Sequence, residues 1–167
     1  MGFDGNKFRV LMVCMGNICR SPTAEVVLRH LLRDSELSEM VEIDSAGTLD
    51  YHAGSPPDAR AQKHAARRGY DLSALRARQV RAEDFARYEL ILAMDWQNWG
   101  ELQDQCPQEH KHKIRRLMEF APPGINDVVP DPYTGGPQMF EVVLDHIEQA
   151  CAGLVSYLRG QLSKRGA

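Results

Sequence analysis

The chain has 167 residues, 43% of them hydrophobic and 26% charged, with a formal net charge of −3. That length fits one domain, read as spanning residues 1–167, with enough chain to bury a core. The balance of charge gives no reason to expect nucleic acid or an anionic membrane as the main partner. No apolar run reaches the roughly 18 residues needed to cross a bilayer, and Val10–Val13 is too short for a secretory leader, so the expected location is the cytoplasm.

Phe8–Val13 is a short apolar run that reads as a buried strand. Ser21–Arg33 has helical spacing, with Pro22 in the first turn and Ala24, Val27, Leu28, Leu31 and Leu32 on one face. Val41–Ser45 is a second strand, Leu49–Pro57 a loop, and Asp58–Arg68 a helix stopped by Gly69. A short helix is expected over Ala82–Arg87, a strand over Glu89–Met94, a helix from about Asp95, and a fourth strand over Ile114–Met118. The Pro- and Gly-rich stretch Ala121–Gln138 is a long loop, and Met139–Leu162 a closing amphipathic helix. Strands alternating with helices imply an α/β three-layer sandwich with a parallel sheet. Ligands of such sheets sit beyond the carboxyl ends of the strands.

Residues Val13–Glu25 read V-C-M-G-N-I-C-R-S-P-T-A-E, a strand end, a Gly-bearing turn and a helix start. Such a turn aims backbone N–H groups into one concavity, and the helix adds its own unpaired donors. A phosphate fits there. Cys14 and Arg20, with five residues between them, would meet the same ligand from the two ends of the loop. Near cations and a helix N-terminus a thiolate is favoured over the thiol, so Cys14 is the candidate nucleophile. Arg20 would fork onto the phosphoryl oxygens. Ser21 could donate to the thiolate, Gly16 permits close approach or positive φ, and Asn17 tolerates a left-handed backbone. The alternatives are inert core cysteines, or zinc on Cys14 and Cys19, which lacks a second ligand pair at suitable spacing. A thiolate mechanism needs an acid on another loop. Asp131-Pro132-Tyr133 offers one, with Pro132 stiffening it and Tyr133 able to stack on an aryl group.

These motifs, with S-A-G-T at Ser45–Thr48, H-A-G-S-P-P-D-A-R-A from His52, R-A-R-Q at Arg76–Gln79 and A-M-D at Ala93–Asp95, resemble the low-molecular-weight protein tyrosine phosphatases over nearly the whole chain. The resemblance implies a central four-stranded parallel sheet with the phosphate loop after the first strand. It implies hydrolysis of phosphotyrosine through a cysteinyl-phosphate without metal or organic cofactor. By position, Cys14 is the nucleophile, Arg20 the phosphate ligand, and Asp131 the acid and then base. Asn17, Ser21 and Ser45 hold the loop's shape, and Asn17 and Ser21, with Met15, Gly16, Ile18, Cys19, Tyr51 and Tyr133, border the substrate. Cys19 could form a reversible, protective disulfide with Cys14. The implied partner is a tyrosine-phosphorylated protein, an autophosphorylating tyrosine kinase among the candidates, bound by a monomer or weak dimer.

Two positions depart from the family pattern. Leu75 stands where members often carry a His that joins the loop network, and Thr134 where many have a second aromatic. An arsenate reductase of the same fold would need a further cysteine pair, but Cys106 and Cys151 are far apart in sequence. Cys106, His110 and His112 read as a hydrophilic loop rather than a metal site. The basic stretch from Arg60 to Arg87 reads as a solvated helix face, and Trp96 and Trp99 as packing or surface aromatics.

Overall fold

The computed structural model describes residues 7–166. The leader reading falls partly on residues 1–6, outside the described residues. Four strands form one parallel sheet: β1 Phe8–Cys14, β2 Val41–Gly47, β3 Leu90–Ala93 and β4 Ile114–Arg116, in the order β2-β1-β3-β4. The helices are α1 Arg20–Asp34, α2 Ala59–Arg67, α3 Ala82–Arg87, α4 Trp96–Gln105 and α5 Pro137–Gly166. The chain leaves β1 toward β2 on one side and later crosses to β3 on the other. The carboxyl end of β1 is therefore the switch point where such sheets hold ligands.

β1 is buried on both faces, which is why it reads as a continuous apolar run. Val10 and Met12 point into a core shared with Val27 and Leu28 of α1 and Ile147, Leu154 and Leu158 of α5. Leu11 and Val13 point the other way, to Phe85 of α3, Ile91 of β3 and Leu102 of α4. Burying each such side chain contributes about 1.5–3 kcal/mol. α5 lies tight against the turn Leu117–Phe120: a Cβ at Gly153 would sit 1.9 Å from the Phe120 carbonyl oxygen.

Three expectations need correction. The fourth strand ends at Arg116, not Met118. Glu119 accepts from the Arg116 backbone N–H at 2.9 Å and folds Leu117–Phe120 into a 3₁₀ turn, which still buries Leu117 and Met118. The run around His110 is a 3₁₀ helix, Gln108–Lys113, rather than an open loop. The basic stretch is not simply a solvated face. Arg68 pairs with Glu141, Asp145 and Glu148 of α5, Arg78 with Asp44 and Asp84, Arg87 with Glu42 and Arg60 with Asp58. Asp58 caps α2 through the N–H groups of Arg60 and Ala61. Trp99 packs on the second core face, and Trp96 is half exposed beneath the Arg116 guanidinium. Among the described residues no helix is long and apolar enough to cross a membrane, and no three His, Cys, Asp or Glu side chains gather as metal ligands.

Candidate active site

The loop between β1 and α1 is pinned from outside by backbone bonds. Thr48 donates to the Cys14 carbonyl at 2.9 Å, Leu49 to Met15 at 3.0 Å, and Asp58 to Ile18 at 2.8 Å. β2 can approach this closely only because residue 47 is glycine: a Cβ there would lie 2.6 Å from the Met15 carbonyl oxygen. Gly16 serves close approach rather than positive φ, since its added Cβ would meet the His52 ring at 2.9 Å. The left-handed turn falls to Asn17, at φ +57°. α1 begins at Arg20 with no side chain capping it. Its first N–H groups and positive dipole end are left for an anion.

A buried hydrogen-bond network lies beneath the loop. Cys14 Sγ is 3.0 Å from Ser21 Oγ and accepts from the Asn17 N–H at 3.3 Å. The Asn17 amide nitrogen donates to Ser21 Oγ at 2.8 Å and to Ser45 Oγ at 3.0 Å. Asn17 Oδ1 accepts from the Arg78 backbone N–H at 2.9 Å. Ser45 donates to Glu25 at 2.7 Å, and Arg29 to the other Glu25 oxygen at 2.8 Å. Leu75 takes no part; it packs beside Leu72 and Leu144. The network therefore closes through a backbone N–H of the R-A-R-Q stretch.

Arg20 is 2% exposed. Its Nη1 donates to Asp95 at 2.7 Å and to the Val129 carbonyl at 3.0 Å, and its Nη2 lies 3.7 Å from Asp131 Oδ2. Burial works against its charge, but Cys14, then Asp95 and Asp131, outweigh it and hold Arg20 above its ordinary pKa. Asp95 in turn caps α4 through the Asn98 N–H. One edge of the guanidinium is thus anchored, and the other is left for a ligand.

Above the loop is a cleft of about 360 Å³. Cys14, Met15, Gly16, Ile18, Cys19 and Arg20 form its floor, Leu49, Tyr51 and His52 one wall, and Asp131 and Tyr133 the other. Asn17, Ser21 and Ser45 are buried behind the floor rather than on it. Burial, then the charges of Asp58 and Cys14, push the Cys19 thiol far above its ordinary range. Tyr133 N–H donates to Asp131 Oδ1 at 3.0 Å, which leaves Oδ2 facing Arg20. The Arg60 guanidinium stands 5.4 Å from the Tyr133 ring centre and 4.9 Å from that of Phe140.

Sequence reasoning missed the part Glu25 plays, which depends on Ser45 of β2 and Arg29. Asp95 was noticed as a helix start but not as the anchor of Arg20. Its Ala-Met-Asp context after a strand was the available signal. Leu49 and His52 sit beside Tyr51, and only the turn geometry puts them on the same wall.

A family model described as "Low molecular weight phosphotyrosine protein phosphatase" matches residues 9–164. A human protein of that name is 42% identical over 144 residues, 85% of this chain and 90% of its own length. A low molecular weight protein-tyrosine-phosphatase of Streptomyces coelicolor is 40% identical over 163 residues, covering 96% and 99%. Among solved structures, a protein tyrosine phosphatase from Entamoeba histolytica, with Hepes in its active site, superposes with a TM-score of 0.90 at 40% identity, covering 93% of this chain and 99% of that one.

Proposed function

The chain belongs to the low molecular weight phosphotyrosine protein phosphatase family, and from that premise we propose that it hydrolyses phosphotyrosine and other aryl phosphates through a phosphate ester of Cys14. It is a hydrolase of the protein-tyrosine-phosphatase class. The observation that carries the finer reading is the convergence of Cys14, Arg20 and Asp131 on one cleft floored by a helix N-terminus.

In the first step the Cys14 thiolate attacks phosphorus in line. The bond from phosphorus to the ester oxygen breaks, and Asp131 gives its proton to the departing phenolate. The free edge of Arg20, the loop N–H groups and the start of α1 hold the equatorial oxygens as charge spreads over them. In the second step water attacks the phosphocysteine and Asp131 takes its proton. The sulfur–phosphorus bond breaks, and sulfur leaves as thiolate toward Ser21 and the Asn17 N–H. Tyr51 and Tyr133 flank the aryl ring, and a tyrosine-phosphorylated protein is the substrate that reaches a floor this deep while its chain stays outside. Cys19 serves as the resolving partner for an oxidised Cys14. Its placement on the same cleft floor supports that role, and its retention as a thiol keeps it from competing as nucleophile.

The test is turnover of a phosphotyrosyl peptide and of an activated aryl phosphate. Both should be hydrolysed by the parent, and the Cys14→Ser variant should fall to background. Persistent hydrolysis in that variant would remove Cys14 from the chemistry.

A further inference from the structure

We infer that Arg116, stacked on Trp96, is a positioning residue for the acid: it fixes where the loop of residues 121–136 returns to the sheet, and so where Asp131 stands over the cleft. The inference rests on the reading of Asp131 as the general acid. Arg116 acts on the loop's backbone and never touches substrate.

The outer part of that loop has little to lie on. Pro122, Pro123 and Gly124 are exposed and run around an open groove of about 490 Å³, after which Ile125 touches the first core. The return is then held at alternate residues. Arg116 Nη1 donates to the Asp127 carbonyl at 2.7 Å. Val129 is buried; its N–H donates to the Met94 carbonyl at 2.8 Å, and its own carbonyl accepts from Arg20 at 3.0 Å. Asp131 follows, 3.7 Å from Arg20. These holds come from three places: the end of β4, the residue after β3, and the phosphate loop after β1. Pro130 and Pro132 flank Asp131. Their fixed φ leaves the chain little freedom to absorb an error in its entry, so a shift at Asp127 is carried on to the carboxylate.

Arg116 can hold a carbonyl because Trp96 holds Arg116. An arginine on an open surface gives up a fixed pose to side-chain entropy. Here its guanidinium lies over the Trp96 ring, 4.0 Å from the ring centre, where an indole face attracts a cation. Trp96 stands edge-on to Trp99, which packs on the second core face. Trp96 also follows Asp95, the anchor of Arg20. The first turn of α4 thus sets Arg20 through Asp95 and the acid loop through Trp96 and Arg116, and both halves of the site share one frame.

A stack that only stabilised the fold would affect all substrates alike. A positioning role falls on the step in which the acid gives up its proton, so its loss grows with the basicity of the leaving group.

The experiment compares kcat/KM for a phosphotyrosyl peptide and for 4-nitrophenyl phosphate in the parent, Arg116→Met, Arg116→Lys, Trp96→Ala, Asp131→Ala and Arg116→Met/Asp131→Ala. It also follows hydrogen exchange at the Val129 and Tyr133 amides. Arg116→Met should lower the peptide value by about five- to tenfold, a fraction of the roughly 10²–10⁴-fold that a general acid supplies, and leave the nitrophenyl value within about twofold. Trp96→Ala should act in the same direction by about two- to threefold. Arg116→Lys keeps a donor and a cation over the indole and should recover at least half of the loss. In the double variant Arg116→Met should add less than about twofold to Asp131→Ala, because the group it acts through is gone. Both amides should exchange about fivefold faster in Arg116→Met. Equal losses on the two substrates, a full further loss in the double variant, or unchanged exchange would overturn the inference. Should Arg116→Met not fold, Trp96→Ala carries the same comparisons, and equal losses there overturn it as well. If Asp131→Ala itself slows both substrates equally, the acid reading falls and exchange alone judges the clamp: faster exchange upholds it, and unchanged exchange overturns it.

Discussion

The two loops that meet at the cleft are built in opposite ways. In Cys14–Arg20, the three residues Cys14, Asn17 and Arg20 are 2–3% exposed, and backbone and side-chain bonds to β2, Asn17, Ser45 and Asp95 tie the segment down. In the loop of residues 121–136, the Asp131 side chain is 45% and Tyr133 48% exposed, and Asp131 is steadied mainly by the N–H two residues on. A cradle for phosphate must be rigid before the ligand arrives, because its electrostatic value lies in needing no reorganisation. An acid that serves different leaving groups must reach into solvent. On the proposed mechanism, the contrast teaches that nucleophile and acid need different amounts of scaffold.

Removing the proposed acid tests that contrast most strongly. Asp131→Ala should leave the loop intact and slow turnover by about 10²–10⁴-fold, most for phosphotyrosine and least for an activated aryl phosphate. Equal losses on both substrates would mean that Asp131 does not protonate the leaving group. Asp95→Asn probes the rigid side. It keeps the size of the anchor but removes the charge that holds Arg20 at 2.7 Å. We expect kcat to fall by about 10–100-fold, the worth of one charge-assisted bond, with a smaller change in KM; unchanged kcat would show that the guanidinium finds its pose unaided.

Smallest is the effect of Asp58, which caps α2 and whose N–H holds Ile18. Asp58→Ala should cost about 1 kcal/mol of stability at neutral pH. Burial alone would raise the Asp58 pKa, but the bonds from Arg60 and Ala61 reverse this and hold it below its ordinary value of 3.8. Its contribution is therefore present above that value and is lost as pH falls through the depressed one. The gap between parent and variant in urea unfolding should close in that acid window. A gap that persists below it would assign the stabilisation to something other than the ionised cap.

The parallel sheet, the loop after β1 and the meeting of Cys14, Arg20 and Asp131 at one cleft were legible because local chemistry encodes them. Strand, turn and helix start follow one another along the chain, and Asp-Pro marks a stiff turn. What was not legible depends on distance through space. Glu25 had no place in the site until β2 brought Ser45 to it, and the network that Leu75 leaves incomplete in sequence closes on the Arg78 N–H. The end of β4 was misread because Leu117 and Met118 are buried either way, and burial alone does not separate a strand from a 3₁₀ turn.

The central claim is that phosphate passes through the sulfur of Cys14. Acid quench of Asp131→Ala during turnover of an activated aryl phosphate, followed by mass spectrometry of the peptide that contains Cys14, tests it directly. The account predicts one phosphoryl group on Cys14, formed with the burst of phenol and lost as water attacks. Steady hydrolysis with no phosphate on Cys14 at any time, or phosphate on another residue, would contradict it.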